Sequence, residues 1–166
     1  MGGTSGLCRD REMVSQGSRI ERCCSPIHPG ALYARGTGLL QDYHKAGQWY
    51  RRAAQKGLAA AEFQLGMLYY TGEGVLQDYT EAGQWVRKAA YKGLTRAHAM
   101  LGIMYMEGRG VPLDNVYAYA WFNVAAAGGD RESSKGRDAV ARKMIAAQVA
   151  EAQNLSRELF EKYGKK

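Results

Sequence analysis

The feature that most constrains this chain is a repeat of 36 residues in its middle part. The segment from Ala61 to Gly93 returns between Ala97 and Gly129. A period between 20 and 50 residues is typical of stacked-repeat proteins, in which each unit packs on its neighbours. The sequence therefore predicts an elongated stack rather than a domain built around one central core. The recurring pairs are Ala61/Ala97, Leu65/Leu101, Gly66/Gly102, Tyr69/Tyr105, Gly72/Gly108, Gly74/Gly110, Val75/Val111, Asp78/Asp114, Ala82/Ala118, Trp85/Trp121, Ala89/Ala125, Ala90/Ala126 and Gly93/Gly129.

Each full copy has the pattern of two helices joined by a glycine turn. Apolar residues recur at helical spacing on both sides of the turn. Gly72 and Gly74 lie between them and can adopt the positive φ of a tight turn. Asp78 precedes the second helix, where its side chain can cap the free backbone N–H groups. The predicted helices of the repeats are Asp42–Lys56, Ala61–Tyr70, Asp78–Lys92, Ala97–Glu107 and Asp114–Ala127.

These patterns divide the chain into three parts. Residues 1–29 show no sustained periodicity, and we expect them to form an irregular, mobile segment. Residues 30–129 hold the repeats, and residues 130–166 keep helical spacing but lose the glycine pattern. Because a repeat stack needs an atypical end unit that covers its last apolar face, we expect residues 130–166 to form a helical cap. The repeats span 30–57 as a partial copy, then 61–93 and 97–129, and the cap helices Arg131–Lys143 and Ala146–Tyr163.

A proline interrupts the first helix of the partial copy, which by register should run from Ser25 to Tyr33. Pro29 takes the place that Leu65 has in the next copy, and proline inside a helix costs about 3 kcal/mol. We therefore expect this helix to be broken or shortened, leaving the following helix, around Trp49, without its usual cover. Either residues 1–30 or a second molecule would then cover it, so a weak homodimer through the uncapped N-terminal end is an expectation too.

The net charge of +7 does not predict a nucleic-acid partner. Residues 61–128 carry 5 basic and 6 acidic side chains, so the excess positive charge lies at the two ends. A nucleic-acid groove would instead place basic residues along one binding face. No apolar run is long enough for a membrane helix, and the first 30 residues lack the apolar stretch of a secretory signal. We expect a cytoplasmic protein by default, with an exported form if the N-terminus is misassigned.

Signatures of catalysis, metal binding and cofactor binding are missing from the sequence. There is no G-x-S-x-G, S-x-x-K, H-E-x-x-H or P-loop motif. The three cysteines form no C-x-x-C pair, and the three histidines do not have ligand spacing. The glycine pairs return with the repeat and are interpreted as turns rather than phosphate loops. We therefore predict no enzyme activity, catalytic residue, metal or cofactor.

The pattern A-x3-L-G-x2-Y-x2-G-x-G-V-x2-D-x3-A-x2-W-x3-A-A-x2-G resembles the Sel-one-like repeat, a relative of the tetratricopeptide repeat. Residues 61–93 and 97–129 match at every marker, and residues 30–57 match from the glycine onward, with Leu39 for the usual valine. The resemblance implies an all-α fold, a right-handed superhelix of antiparallel helix pairs that binds proteins or peptides. An alternative comes from cysteine-rich exported relatives linked to β-lactam binding or hydrolysis, but no repeat here contains cysteine.

In tetratricopeptide-like superhelices the first helix of each pair lines a concave groove. The resemblance therefore directs the search to first-helix positions where the copies differ. Several of these are apolar and include methionine, whose flexible side chain adapts to varied partners. The alternative, which the sequence leaves open, is that half of them belong to the core between helices. The predicted partner-binding residues are Glu62, Phe63, Met67, Tyr70, Arg96, His98, Ile103 and Met106.

Overall fold

Consecutive helices pack side by side along the chain in the computed structural model, which describes residues 27–36 and 40–164. Within these residues the chain forms eight helices and no strand. The predicted all-α fold is therefore confirmed. The helices are α1 (Ile27–Arg35), α2 (Tyr43–Gln55), α3 (Ala59–Thr71), α4 (Tyr79–Tyr91), α5 (Thr95–Glu107), α6 (Asn115–Ala127), α7 (Arg131–Ala141) and α8 (Ala146–Tyr163).

The second helix of every repeat begins at the predicted aspartate. Asp78 Oδ1 accepts hydrogen bonds from the backbone N–H groups of Thr80 at 2.8 Å and Glu81 at 3.0 Å. The backbone N–H of Asp78 donates to the carbonyl of Tyr69 at 3.0 Å, which joins the end of α3 to the start of α4. Because the same bond joins Asp114 to Tyr105, each turn is closed in the same way.

The glycine turns place each repeat directly on the preceding one. Gly110 has a φ of +71°, and a Cβ atom there would lie 1.8 Å from the carbonyl oxygen of Tyr79. Gly74 has a φ of +70° and approaches the backbone of Tyr43 in the same way. No side chain fits at either position, which explains why both glycines recur with the period of the repeat.

The buried apolar residues form three successive clusters, as expected of a stack. Close helix contact within repeats is possible because Gly66 and Gly102 lack a Cβ atom. A Cβ on Gly66 would lie 2.8 Å from Val86 Cγ2, and one on Gly102 would lie 2.6 Å from the ring of Phe122. The central cluster consists of Ala82, Val86, Ala89, Ala90, Ala97, Met100, Leu101, Met104, Val111 and Trp121.

The N-terminal end differs from the expectation in part. Pro29 does not break α1, because it lies in the first turn, where backbone N–H groups have no acceptor within the helix. The helix has nine residues, against thirteen in α3. Residues 27–29 thus belong to α1 rather than to an irregular segment, and residues 1–26 lie outside the described residues. Because Gly30 packs against the ring of Tyr50, α1 covers α2, and the expected homodimer loses its structural reason.

The C-terminal cap consists of α7 and α8, which both pack against α6. This cover explains why α6 is more apolar than α4 and buries Trp121, Phe122 and Val124. The break between the cap helices falls at residues 142–145, so α7 ends two residues before the predicted position. At the far end of α8, Tyr163 stacks on Tyr91 of α4 at 4.6 Å, which ties the cap to the preceding repeat.

Candidate functional site

An open cleft of about 420 Å³ lies between α3 and α5, the first helices of two successive repeats. We call it the α3/α5 cleft. Four of the eight predicted partner-binding residues line it, namely Phe63, Met67, Arg96 and Ile103. Its remaining lining comes from α5 and from the connection between α6 and α7, and consists of Thr95, Ala99, Met100, Gly128, Gly129 and Asp130.

Helical spacing places the cleft residues on two facing walls. Phe63 and Met67 are four residues apart and share one face of α3. On α5, Arg96, Met100 and Ile103 follow one another at intervals of four and three residues and share one face as well. The walls are therefore mostly apolar, with one cation at the end nearest the start of α5. Phe63, Met67 and Ile103 remain partly exposed, so their apolar surface is not fully used by the fold.

Arg96 is the charged group of the cleft whose side chain is not used elsewhere. It is exposed, and within residues 27–36 and 40–164 no hydrogen bond or ion pair engages its guanidinium. Asp130, in contrast, caps α7. Its carboxylate accepts hydrogen bonds from the backbone N–H of Ser133 at 3.1 Å and from the hydroxyl of the same residue. The cleft thus combines apolar walls, a free guanidinium and a carboxylate that is already bonded.

Glu62 does not line the cleft, contrary to the prediction, but is buried beside Lys92 of the same repeat. Its Oε1 accepts a hydrogen bond of 2.6 Å from Lys92 Nζ, which also donates to the carbonyl of Gly57 at 2.8 Å. Its Oε2 has no hydrogen-bond partner among the described residues. The side chain therefore holds α3 against the end of α4 and is not available to a partner on the cleft side.

His98 takes the position equivalent to Glu62 in the next repeat, and it is buried too. Its Nε2–H donates to the carbonyl of Ala90 at 2.9 Å, and its ring stacks on Trp121 at 5.4 Å between centroids. Burial lowers the pKa of His98, and the hydrogen bond to Ala90 only partly opposes this effect. The residue is a neutral packing histidine between two repeats rather than a source of partner specificity.

Tyr70 and Met106 also lie outside the cleft lining. The Tyr70 hydroxyl donates to Glu107 Oε2 at 2.7 Å and accepts from Arg109 Nη1 at 3.2 Å. Burial, followed by the bond to Glu107, raises the pKa of Tyr70. Met106 packs against the C-terminal cluster around Ala118. The Tyr70 side chain thus links α3 to the end of α5, and the Met106 side chain packs α5 against α6.

The sequence did not predict Thr95, Ala99, Met100 or the segment 128–130 as cleft residues. Ala99 and Met100 could have been found from Arg96, because they lie three and four residues further along the same helix face. The segment 128–130 reaches the cleft only because α7 packs after α6, and no local pattern predicts that contact.

The described residues contain neither a metal-binding cluster nor a membrane-spanning helix. Among residues 27–36 and 40–164, no group of three or more His, Cys, Asp or Glu side chains could hold a metal ion. Within the same part of the chain, no helix is both long and apolar enough to cross a membrane. Nothing in the described residues favours the β-lactam alternative.

The stack of helix pairs with an open cleft between first helices defines a helical repeat protein of the superhelical type. The model of the Sel1 repeat matches residues 30–58, 59–94 and 95–130. The chain therefore belongs to the Sel1 repeat family, which confirms the resemblance drawn from the sequence. Sel1 repeat proteins are generally non-catalytic scaffolds for protein interaction.

Solved structures show the same fold. A protective antigen of uropathogenic Escherichia coli strains, which displays an SLR fold, is 36% identical, with a TM-score of 0.81 over 87% of this chain and 32% of that one. A Sel1 repeat protein from Oxalobacter formigenes is 34% identical, with a TM-score of 0.61 over 65% of this chain and 45% of that one. The chain thus spans less than half the length of either protein. No curated protein matches it.

Proposed function

We propose that this chain is a non-enzymatic interaction scaffold that binds a peptide or protein partner in the α3/α5 cleft. The observation that carries the proposal is the cleft itself, an open groove of about 420 Å³ with apolar walls from two successive repeats. This volume lies within the range of about 300–1,000 Å³ that is usual for binding clefts. The cleft also lies on the first helices, where the family resemblance predicts the concave groove.

The cleft walls suit an apolar partner side chain. Phe63, Met67 and Ile103 leave apolar surface in contact with water, and a bound side chain would remove that surface from water. Met67 and Met100 have unbranched, flexible side chains that can adjust to the shape of the guest. The walls themselves are rigid helices, so the partner orders few protein groups on binding.

The test fills the cleft without removing core atoms. Ala99 lies on the cleft wall and is partly exposed, so Ala99→Tyr places a ring in the cleft. The matched control is Ala147→Tyr, at an exposed position of α8 that lines no part of the cleft. Both changes replace alanine by tyrosine in a helix and have a similar cost in helix propensity.

A partner would be captured with the wild-type chain and purified, and its affinity measured by isothermal titration calorimetry. Ala99→Tyr should weaken binding about tenfold or more, since one buried apolar side chain contributes about 1.5–3 kcal/mol. Ala147→Tyr should bind like the wild type. A partner that binds Ala99→Tyr with wild-type affinity would contradict the proposal.

A further inference from the structure

We infer the chemistry of the partner, and this inference rests on the proposed function. The partner is a peptide segment of a protein, in which an apolar residue enters the α3/α5 cleft and a neighbouring acidic side chain pairs with Arg96. The inference depends on where Arg96 lies, on its lack of a partner among the described residues, and on the absence of an arginine at the equivalent position of the preceding repeat.

Arg96 lies directly beside the apolar part of the cleft. It is in the first turn of α5, one helical turn before Met100 and two before Ile103 on the same face. A guest side chain held between Met67 and Ile103 would therefore place its chain neighbours near the guanidinium. At this end there is room for them, because a Cβ atom built on Gly129 would meet nothing within 4 Å.

Arg96 supplies the positive charge at this end of the cleft, and it forms no hydrogen bond or ion pair with any described residue. Asp130 lines the same cleft and keeps its negative charge, but its carboxylate is held at the start of α7 by the bonds from Ser133. Leu94 provides no capping side chain for α5, so the positive end of that helix dipole adds to the charge. A carboxylate on the guest complements this end, and a guest cation is repelled.

The fold itself does not require the arginine. The equivalent position in the preceding repeat is Ala60, an exposed alanine in the first turn of α3. Since α3 and α5 have the same length and the same turn geometry, Arg96 adds charge without a structural role. A charge that is free, adjacent to an open apolar groove and specific to one repeat determines which partner is selected.

The experiment selects peptides from a phage-displayed library of random heptapeptides, with the full chain as bait. The peptides are fused at their C-terminus, so only side chains can supply a carboxylate. A second bait carries Arg96→Glu, an exposed change whose acidic residue suits the start of a helix. A third carries Arg142→Glu, which alters the net charge equally but lies at the other end of α7. Circular dichroism verifies that all three are folded.

The wild type should enrich peptides in which an apolar residue is followed or preceded by Asp or Glu. Arg96→Glu should enrich apolar residues beside Lys or Arg, and Arg142→Glu should select like the wild type. Apolar peptides without any charge preference would overturn this inference and leave the proposed function intact. A shift with Arg142→Glu as large as that with Arg96→Glu would overturn it as well, because net charge alone would then be responsible.

Enrichment of no peptide by the wild type would contradict both the inference and the proposed function.

A second experiment measures affinity with the best selected peptide, synthesised with an amidated C-terminus and with its acidic residue as Glu, Gln or Lys. For the wild type, Gln should weaken binding by about fivefold relative to Glu, the upper range for an exposed ion pair. For Arg96→Glu, the order of the Glu and Lys peptides should reverse. An unchanged order would overturn the inference.

Discussion

The ion pair between Lys92 and Glu62 lies within one repeat, and Lys92 also binds the preceding repeat through the carbonyl of Gly57. Loss of the Lys92 charge should therefore show how strongly the fold depends on this buried contact. The Glu62 side chain is 5% exposed and the Lys92 side chain 39%. Lys92 Nζ donates to Glu62 Oε1 at 2.6 Å and to the carbonyl of Gly57 at 2.8 Å. Lys92→Met keeps the length of the side chain but removes both hydrogen bonds.

The loss of stability expected for Lys92→Met follows from the buried Glu62 carboxylate that remains after the substitution. Glu62 would keep a buried carboxylate whose Oε2 already has no partner among the described residues. Removal of one member of a buried pair costs about 3–5 kcal/mol. Because the Lys92 side chain is partly exposed, water can reach the site, and we expect Lys92→Met to lower the free energy of unfolding by about 2–3 kcal/mol. The double variant Glu62→Met, Lys92→Met should recover most of this loss, since apolar residues of similar size replace buried pairs with little change in stability.

Urea denaturation followed by circular dichroism measures these free energies of unfolding. The matched control is Lys135→Met, because Lys135 Nζ lies 2.8 Å from Glu132 Oε1 but the side chains are 76% and 77% exposed. This control should be close to the wild type. The reasoning is refuted if Lys92→Met costs no more than Lys135→Met, or if the double variant is less stable than Lys92→Met alone.

Three further predictions concern the repeat scaffold. Gly110→Ala should lower the free energy of unfolding by about 3 kcal/mol or more, because the new Cβ would collide with Tyr79. Gly129→Ala should lower it less, since its Cβ meets no neighbouring atom and only the backbone is strained. Urea denaturation compares the two variants. Asp78→Ala should cost about 1 kcal/mol through loss of the N-cap, and a change below about 0.3 kcal/mol would contradict the capping role. The pKa of His98 is lowered in the fold, so the unfolded chain binds the proton more tightly. The free energy of unfolding should therefore fall as pH decreases below about 6.5 towards the lowered pKa, and His98→Gln should make it less dependent on pH in this window.

The fold could be predicted from the sequence because repeat register links distant positions. Once Ala61–Gly93 is aligned with its copy, each glycine, aspartate and tryptophan marks the same turn, cap or contact in both units. The N-terminal helix was harder to predict. Whether Pro29 breaks a helix or begins one depends on where the helix starts, and the repeat register placed that start at Ser25 rather than at Ile27.

The candidate site could be predicted only in part. Adjacent residues of a helix point about 100° apart, so Phe63 faces the cleft while Glu62 faces Lys92 at the end of α4. The sequence pattern identified the helices that line the cleft but not the direction in which each of their side chains points. Arg96 lines the cleft, and its exposed charge is not part of the helix packing. The contribution of residues 128–130 depends on how the cap packs, and spacing along the chain contains no information on that.

Occupation of the α3/α5 cleft by a partner can be measured directly with methyl NMR. The chain is labelled at methionine and isoleucine methyl groups and titrated with the peptide selected in the library experiment. Met67, Met100 and Ile103 line the cleft, whereas Met144 and Ile145 lie at the connection between the cap helices. The signals of the three cleft residues should shift in proportion to bound peptide, and those of Met144 and Ile145 should stay in place. Shifts at Met144 and Ile145 with an unchanged cleft would contradict the central claim.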